Sequence, residues 1–319
     1  MALDLTKIKT YSLKSRKSKV KIGDFSSLPS LEKGFLESLP NILASKELKE
    51  LVEEILKAYR RKRPVIFMLG AHVIKCGLSP LIIDLIRKKI VTAVALNGAG
   101  IIHEFEIAYM GSTSEDVGRA IQDGSFGMAQ ETAESLNKAI KDGAKLGIGK
   151  AVGMMICKKK LPYRDLSILY AGIEYGVSVT VHVAIGTDII HMHPSCDGAA
   201  VGEGSLKDFR KFCETVSKLE GGVVVNFGSA VVLPEIFLKA LTVARNLGFK
   251  VKHFTAADFD MIRQYRAFTN VVKRPTIEGK GFSFVGHHEI MIPLLHRAIM
   301  EKLPARPGKA KRAGETITR

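Results

Sequence analysis

Three polar clusters in this sequence hold the residue types that move protons or bind metal ions. They are Ile102-His103-Glu104-Phe105-Glu106, Asp188-Ile189-Ile190-His191-Met192-His193 and His287-His288-Glu289. Histidine changes charge near neutral pH and serves as a general base, and histidine with carboxylate ligates catalytic zinc or iron. Taken together, His191, His193, His287 and His288 offer the ligands of a metal-assisted lyase or hydrolase. An H-x-H pair on a strand puts both rings on one face, but this pair falls in an expected turn, where polar residues also act as caps. The reading therefore assigns no metal and keeps the metal-assisted reaction as an alternative. Lys273, within Asn270-Val271-Val272-Lys273-Arg274-Pro275, is a further candidate. A lysine becomes a nucleophile when partial burial lowers its pKa; the flanking valines permit that, although most lysines are simply solvated.

Five small-residue segments could seat a ligand beside these clusters: Gly70-Ala71, Asn97-Gly98-Ala99-Gly100, Gly186-Thr187, Gly228-Ser229-Ala230 and Thr255-Ala256-Ala257. Each is expected to close a strand. In an open parallel sheet the carboxyl ends of the strands line one crevice, and small residues let backbone N–H groups approach a phosphate there. Five such corners in register point to a nucleotide-sized ligand. No G-x-x-x-x-G-K-[ST] loop is present, and Asn97-Gly98-Ala99-Gly100 carries only the first half of G-x-G-x-x-G, so an orthodox Rossmann dehydrogenase is not the first choice.

The elements that must position these residues are short apolar runs alternating with amphipathic stretches. Strands are expected at 64–69, 92–96, 177–185, 223–227 and 251–254, and helices at 78–89, 206–219 and 234–247. Residues 31–62 read as one or two helices before the sheet, and 111–145 as a helical excursion between strands. This alternation predicts an α/β fold: a doubly wound, mostly parallel central sheet with helices on both faces. The domain reading is a basic arm over 1–22, a single α/β domain over 23–303 and a basic tail over 304–319.

Composition narrows the classes. The 319 residues are 46% hydrophobic, too apolar for a disordered chain, and include four cysteines without a C-x-x-C pair, as expected of reduced thiols in the cytoplasm. No apolar stretch approaches the roughly 20 residues of a spanning helix, and the basic first 22 residues lack the apolar core of a secretory signal. The net charge is +16, of which residues 1–22 carry +6 and 301–319 carry +4. Basic ends on a nearly balanced body argue against nucleic acid as the main partner, except through the tails.

The segment from Pro64 to Val117 resembles deoxyhypusine synthase: a strand, a small-residue turn, a glycine before a helix, a second strand with a T-T-A-G-G-like turn, then acidic residues. Val177–Ile189 is similar to that family's strand ending in T-D-G, Val223–Leu241 to its Gly-Gly-Gly strand and helix, and Lys273–Leu295 to its lysine and closing P-L-L helix. The resemblance spans roughly residues 30 to 300. It implies a deoxyhypusine-synthase-like NAD-binding fold, usually a homotetramer. It also implies NAD-dependent hydride removal from a polyamine, with aminoalkyl transfer through a lysine imine.

Carried over by residue, the resemblance implies a cofactor site of Gly70, Ala71, His72, Asn97, Gly98, Ala99, Gly100, Glu104, Gly228, Ser229, Thr255 and Ala256. It implies Asp188 as the carboxylate holding a substrate ammonium and, after a one-residue shift, Lys273 as imine nucleophile; with that chemistry retained, this chain offers Glu289 beside Asp188 to orient the amine and His103, His191 or His288 as general base, although His191, His288 and Glu289 have no counterpart in the family. The substrate half departs from the family. The S-W-G-K motif is missing, the chain has no Trp, and Leu233-Pro234-Glu235 replaces K-H-H. The expectation is therefore an NAD-dependent amine enzyme of this type whose substrate need not be spermidine. The remaining alternative is a non-catalytic dinucleotide-binding or RNA-associated protein.

Overall fold

The computed structural model describes residues 34–303, so the basic arm and tail lie outside the described residues. Residues up to Lys49 group into one compact unit and those from Glu50 onward into another. Before the sheet come a single turn, Phe35–Ser38, and helix α1, Leu43–Arg60.

Six strands form one wholly parallel sheet: β1 Val65–Leu69, β2 Ala93–Asn97, β3 Ser178–His182, β4 Val223–Phe227, β5 Thr255–Asp260 and β6 Lys280–Val285. Their order is β3-β2-β1-β4-β5-β6. The chain winds outward from β1 to β3, then returns to lay β4 against the other side of β1. Parallel strands need crossovers, and up to β5 these are helices α2 (Ser79–Arg87), α3 (Gly98–Met110), α4 (Gln130–Gly143), α5 (Ile148–Lys158), α6 (Ile168–Tyr175), α7 (Gly198–Val216) and α8 (Val232–Asn246); short helical turns over 265–273 cross from β5 to β6, and α9 (His288–Lys302) closes the fold. The doubly wound architecture expected from the alternation is what the chain adopts.

Burial on both faces explains the near-continuous apolar strands; every residue of β1, β4 and β5 is buried. On one face, Ile66, Met68, Val224 and Ala256 pack with Phe212 and Val216 of α7 and Leu233, Phe237 and Leu241 of α8. On the other, Phe67, Phe227, Phe259 and Phe284 form a ladder across four strands, with successive ring centroids 5.0, 5.1 and 4.5 Å apart. Such aromatic pairs contribute about 0.5–1.5 kcal/mol each beyond the area they bury.

The outer edge of β3 is closed by a carboxyl group. Asp208 of α7 is 3% exposed, and its Oδ2 accepts the Val181 N–H (2.8 Å) and the Gly149 N–H (2.9 Å). Gly149 is required here, because a Cβ would lie 2.1 Å from the Val179 carbonyl oxygen. Ser205 accepts the next outward N–H, that of Val183. Burial pushes the Asp208 carboxyl up to about 7.

The fifth strand corrects one expectation. The apolar run 251–254 only leads into it, so Thr255 and Ala256 begin β5 rather than follow a strand, and both are buried at the amino end, away from the crevice. β6 was not anticipated. Its first two residues and its last are exposed, which hides a strand from an apolar-run reading.

Candidate functional site

The strand order reverses between β1 and β4, which opens a crevice at their carboxyl ends. Gly70 and Gly228 meet there. The Gly70 N–H donates to the Phe227 carbonyl, and a Cβ on Gly70 would fall 2.5 Å from the Gly228 oxygen. Gly228 has φ +63°, and a Cβ on it would lie 2.4 Å from His288 Nε2. Glycine is thus demanded twice at this position, by the left-handed backbone and by the imidazole above it. His288 is buried, its ring centroid is 6.1 Å from that of the exposed His72, and its Nδ1 has no hydrogen-bond partner. Burial holds its pKa below the usual histidine range, and Asp260 opposes that effect. Ser229 spends its hydroxyl on the Leu233 N–H at the start of α8.

The second corner is different. Gly98 starts α3, but a Cβ there would come 1.9 Å from Asp188 Oδ2, so the space beside it holds a carboxyl group of the chain itself. Asp188 starts a 3-10 turn over Ile189–His191 in a reciprocal cap: its side chain accepts the His191 N–H, and His191 Nδ1 accepts the Asp188 N–H. His191 Nδ1 also accepts from Gly186, and His193 Nδ1 from Ser195. These two histidines therefore serve the turn. Among the described residues no three His, Cys, Asp or Glu side chains converge as a metal site, so the metal cluster is not assembled.

Helix α3 sorts its polar residues by phase. Ala99, Ile102, His103, Glu106 and Met110 recur at helical spacing along one side and line a cavity of about 520 Å³, together with Lys75, Thr113, Glu115 and Asp188. Glu104 lies on the opposite side, 1% exposed, accepting the Ser167 hydroxyl (2.6 Å) and the Leu169 N–H (3.0 Å). It anchors α3 to α6 and does not line this cavity. Burial raises its pKa to about 7. Within the cavity, burial raises Asp188 to about 6. His103 lies below the usual histidine range, chiefly through burial, with Lys75 adding to the effect and Glu106 opposing it.

Lys273 and Glu289 are not brought to this cavity. Lys273 is exposed at the end of a π-helical turn, Phe268–Lys273, where Val272 packs on Gly281 near the amino end of β6. That is the opposite end of the sheet from the crevice, and the lysine-imine role has no geometric support there. Glu289 sits in the first turn of α9, with its carboxylate 3.9 Å from Cys76 Sγ.

Several site residues stand outside the candidates that the sequence singles out by role. Extending the helical period from His103 selects Glu106 from the first polar cluster, while Thr113 lies beyond the end of that helix. Asp258 and Asp260 stand toward the carboxyl end of β5; Asn226 donates to Asp258, whose pKa burial raises to about 6. They emerge only once that strand is placed correctly. His182, at the end of β3, is 1% exposed, and burial holds it neutral, down to about 3.

The two corners differ in what lies beside their glycines. At the β1–β4 reversal the space beside Gly70 is taken by the Gly228 carbonyl and that beside Gly228 by the His288 ring, whose buried Nδ1 has no hydrogen-bond partner; the buried Asn97 Oδ1, at the end of β2, has none either. At the start of α3, Asp188 occupies the position a phosphate would need.

Sheet order and crevice define a doubly wound, Rossmann-like α/β protein. More particularly, the fold is shared with a candidate deoxyhypusine synthase from Entamoeba histolytica (10% identity, 84% of this chain and 92% of that one, TM-score 0.50). It is shared with a candidate LOR/SDH protein from Methanococcus maripaludis (14% identity, 82% and 70%, TM-score 0.53). AgrE, solved in a ternary complex with ornithine and NAD+, also has it (15% identity, 80% and 33%, TM-score 0.52). The chain spans about a third of the length of AgrE and of the cyanobacterial arginine dihydrolase ArgZ. No protein-family model matches the sequence, and a search of curated proteins finds none that matches. At these identities the likeness is one of fold.

Proposed function

We propose that this chain is an NAD-dependent enzyme acting on a small amine, seated in the cavity between α3 and the 187–189 turn. The carrying observation is that a buried carboxyl group, Asp188, and a half-buried imidazole, His103, line the same cavity beside the carboxyl ends of the strands. A bound ammonium would draw the Asp188 pKa down and keep it ionised. His103 Nε2 would accept a proton from the ammonium, leaving a free amine. Bound NAD+ would supply the oxidising power by taking hydride from the adjacent carbon. Gly70, Ala71, Gly228 and Ser229 would hold the dinucleotide, beside the His288 ring. AgrE, about a third of which shares this fold, was solved with an amine, ornithine, together with NAD+. A homo-oligomer, tetrameric by the resemblance, and a cytoplasmic setting belong to the same proposal; among the described residues no helix is long and apolar enough to cross a membrane.

The test is calorimetry of the full chain with NAD+, followed by NADH absorbance over a panel of diamines, polyamines and amino acids. Binding and turnover that is lost in His103→Gln and Asp188→Asn would support the reading. No NAD+ binding, and no NADH from any amine, would overturn it.

A further inference from the structure

The cavity wall contains a hydrogen-bonded chain that the reaction sketched above does not explain. Gly111 ends α3 with φ +75°, and the reversed chain brings Thr113 under the helix face it has just left. Thr113 Oγ1 lies 2.7 Å from His103 Nδ1 and 2.5 Å from Glu106 Oε2. The other Glu106 oxygen accepts from the Thr132 hydroxyl at 3.1 Å, which fixes the carboxylate from α4.

Donor counting settles the direction of these bonds. An ionised carboxylate only accepts, and threonine has one hydroxyl proton. That proton goes to Glu106, so the remaining contact must be donated by His103 Nδ1–H. Among the described residues no group hydrogen-bonds His103 Nε2. We infer that Thr113 and Glu106 are positioning residues that hold the neutral His103 ring with its proton on Nδ1 and its lone pair on Nε2, toward the cavity. The tautomer of an imidazole is set by the partner of its other nitrogen. Here a hydroxyl intervenes between ring and carboxylate. When Nε2 takes a proton, the resulting imidazolium faces the Thr113 oxygen, with the Glu106 charge one bond beyond. The catalytic meaning of the chain rests on the proposed function, but the tautomer does not.

The test separates the two. Two-bond ¹⁵N spectra of the full chain at neutral pH, with the His103 signals assigned by their loss in His103→Gln, report the tautomer without any substrate. The expected result is a pyrrole-like Nδ1 and a pyridine-like Nε2 in the wild type. Thr113→Val should move the population toward Nε2–H, and Thr113→Ser should restore it. NADH formation should fall about 10²-fold in Thr113→Val, in line with loss of an oriented general base, and recover in the serine variant. An Nε2–H ring in the wild type, or an unchanged ring in folded Thr113→Val, would overturn the inference. Should Thr113→Val not fold, the wild-type spectrum alone decides. An Nδ1–H ring without NADH from any amine would count against the enzyme reading and leave the positioning chain intact.

Discussion

Asp188→Asn tests the site through stability alone. Burial raises the carboxyl from its ordinary 3.8 to about 6. A raised folded pKa means that the native state holds the proton more tightly than the unfolded chain. The folded state therefore pays nothing below pH 3.8, is penalised increasingly as pH rises toward 6, and bears the whole penalty above it. At about 1.4 kcal/mol per tenfold change, the full penalty approaches ~3 kcal/mol. The positive end of α3 offsets part of this, by roughly 0.3–1 kcal/mol, and an asparagine oxygen can still accept the His191 N–H. Asp188→Asn is therefore expected to stabilise the protein by about 1–3 kcal/mol at pH 8 and by little at pH 4, while weakening amine binding. Urea unfolding followed by circular dichroism at the two pH values measures the difference. Equal effects at both, or a net loss at pH 8, would refute the argument that an uncompensated buried charge sits against Gly98.

Glu104→Gln should behave similarly over a higher range, gaining stability above about pH 7 because the amide oxygen can still take the Ser167 and Leu169 donors; denaturation at pH 5 and pH 8.5 checks it. Unlike Asp188→Asn, it should leave amine binding unchanged, since Glu104 lies on the far side of α3. Gly228→Ala should cost about 1–3 kcal/mol from the strained backbone and displace His288, weakening NAD+ affinity as read by calorimetry. Lys273→Ala should leave both NADH formation and borohydride labelling by amine substrates unchanged, since the side chain is exposed at the other end of the sheet. Loss of labelling in that variant would return the lysine to the mechanism.

The parts legible in the sequence were those written in local pattern. The run Val223–Phe227 is buried on both faces and reads as a strand to the residue. The small-residue corners at Gly70 and Gly228 do meet, because parallel winding places successive strand ends along one edge. What local pattern could not show was which residues would be neighbours. The run 251–254 is as apolar as a strand, yet pairing begins at Thr255, opposite Val223, and so Asp260 rather than Thr255 reaches the crevice end. His103 and Glu104 are adjacent in sequence but point to opposite sides of α3, one into a cavity and one into the core. The family resemblance placed Glu104 at the cofactor; the helix phase places His103 and Glu106 at the cavity.

The two borders of the sheet resist intermolecular strand pairing by different means. At β6 a charged lysine and a glycine open the strand, and Lys280 is paired with Glu54. At β3 two side chains of α7 do this: Asp208 accepts the Val181 N–H and Ser205 the Val183 N–H, while the second Asp208 bond, to Gly149, ties the start of α5 beside the same edge. Removing that acid would do more than loosen one helix. It would leave the Val181 and Gly149 N–H groups without their acceptor where α5 packs on the strand, so damage at Asp208 is expected to loosen the cover of the β3 border before it changes the crevice.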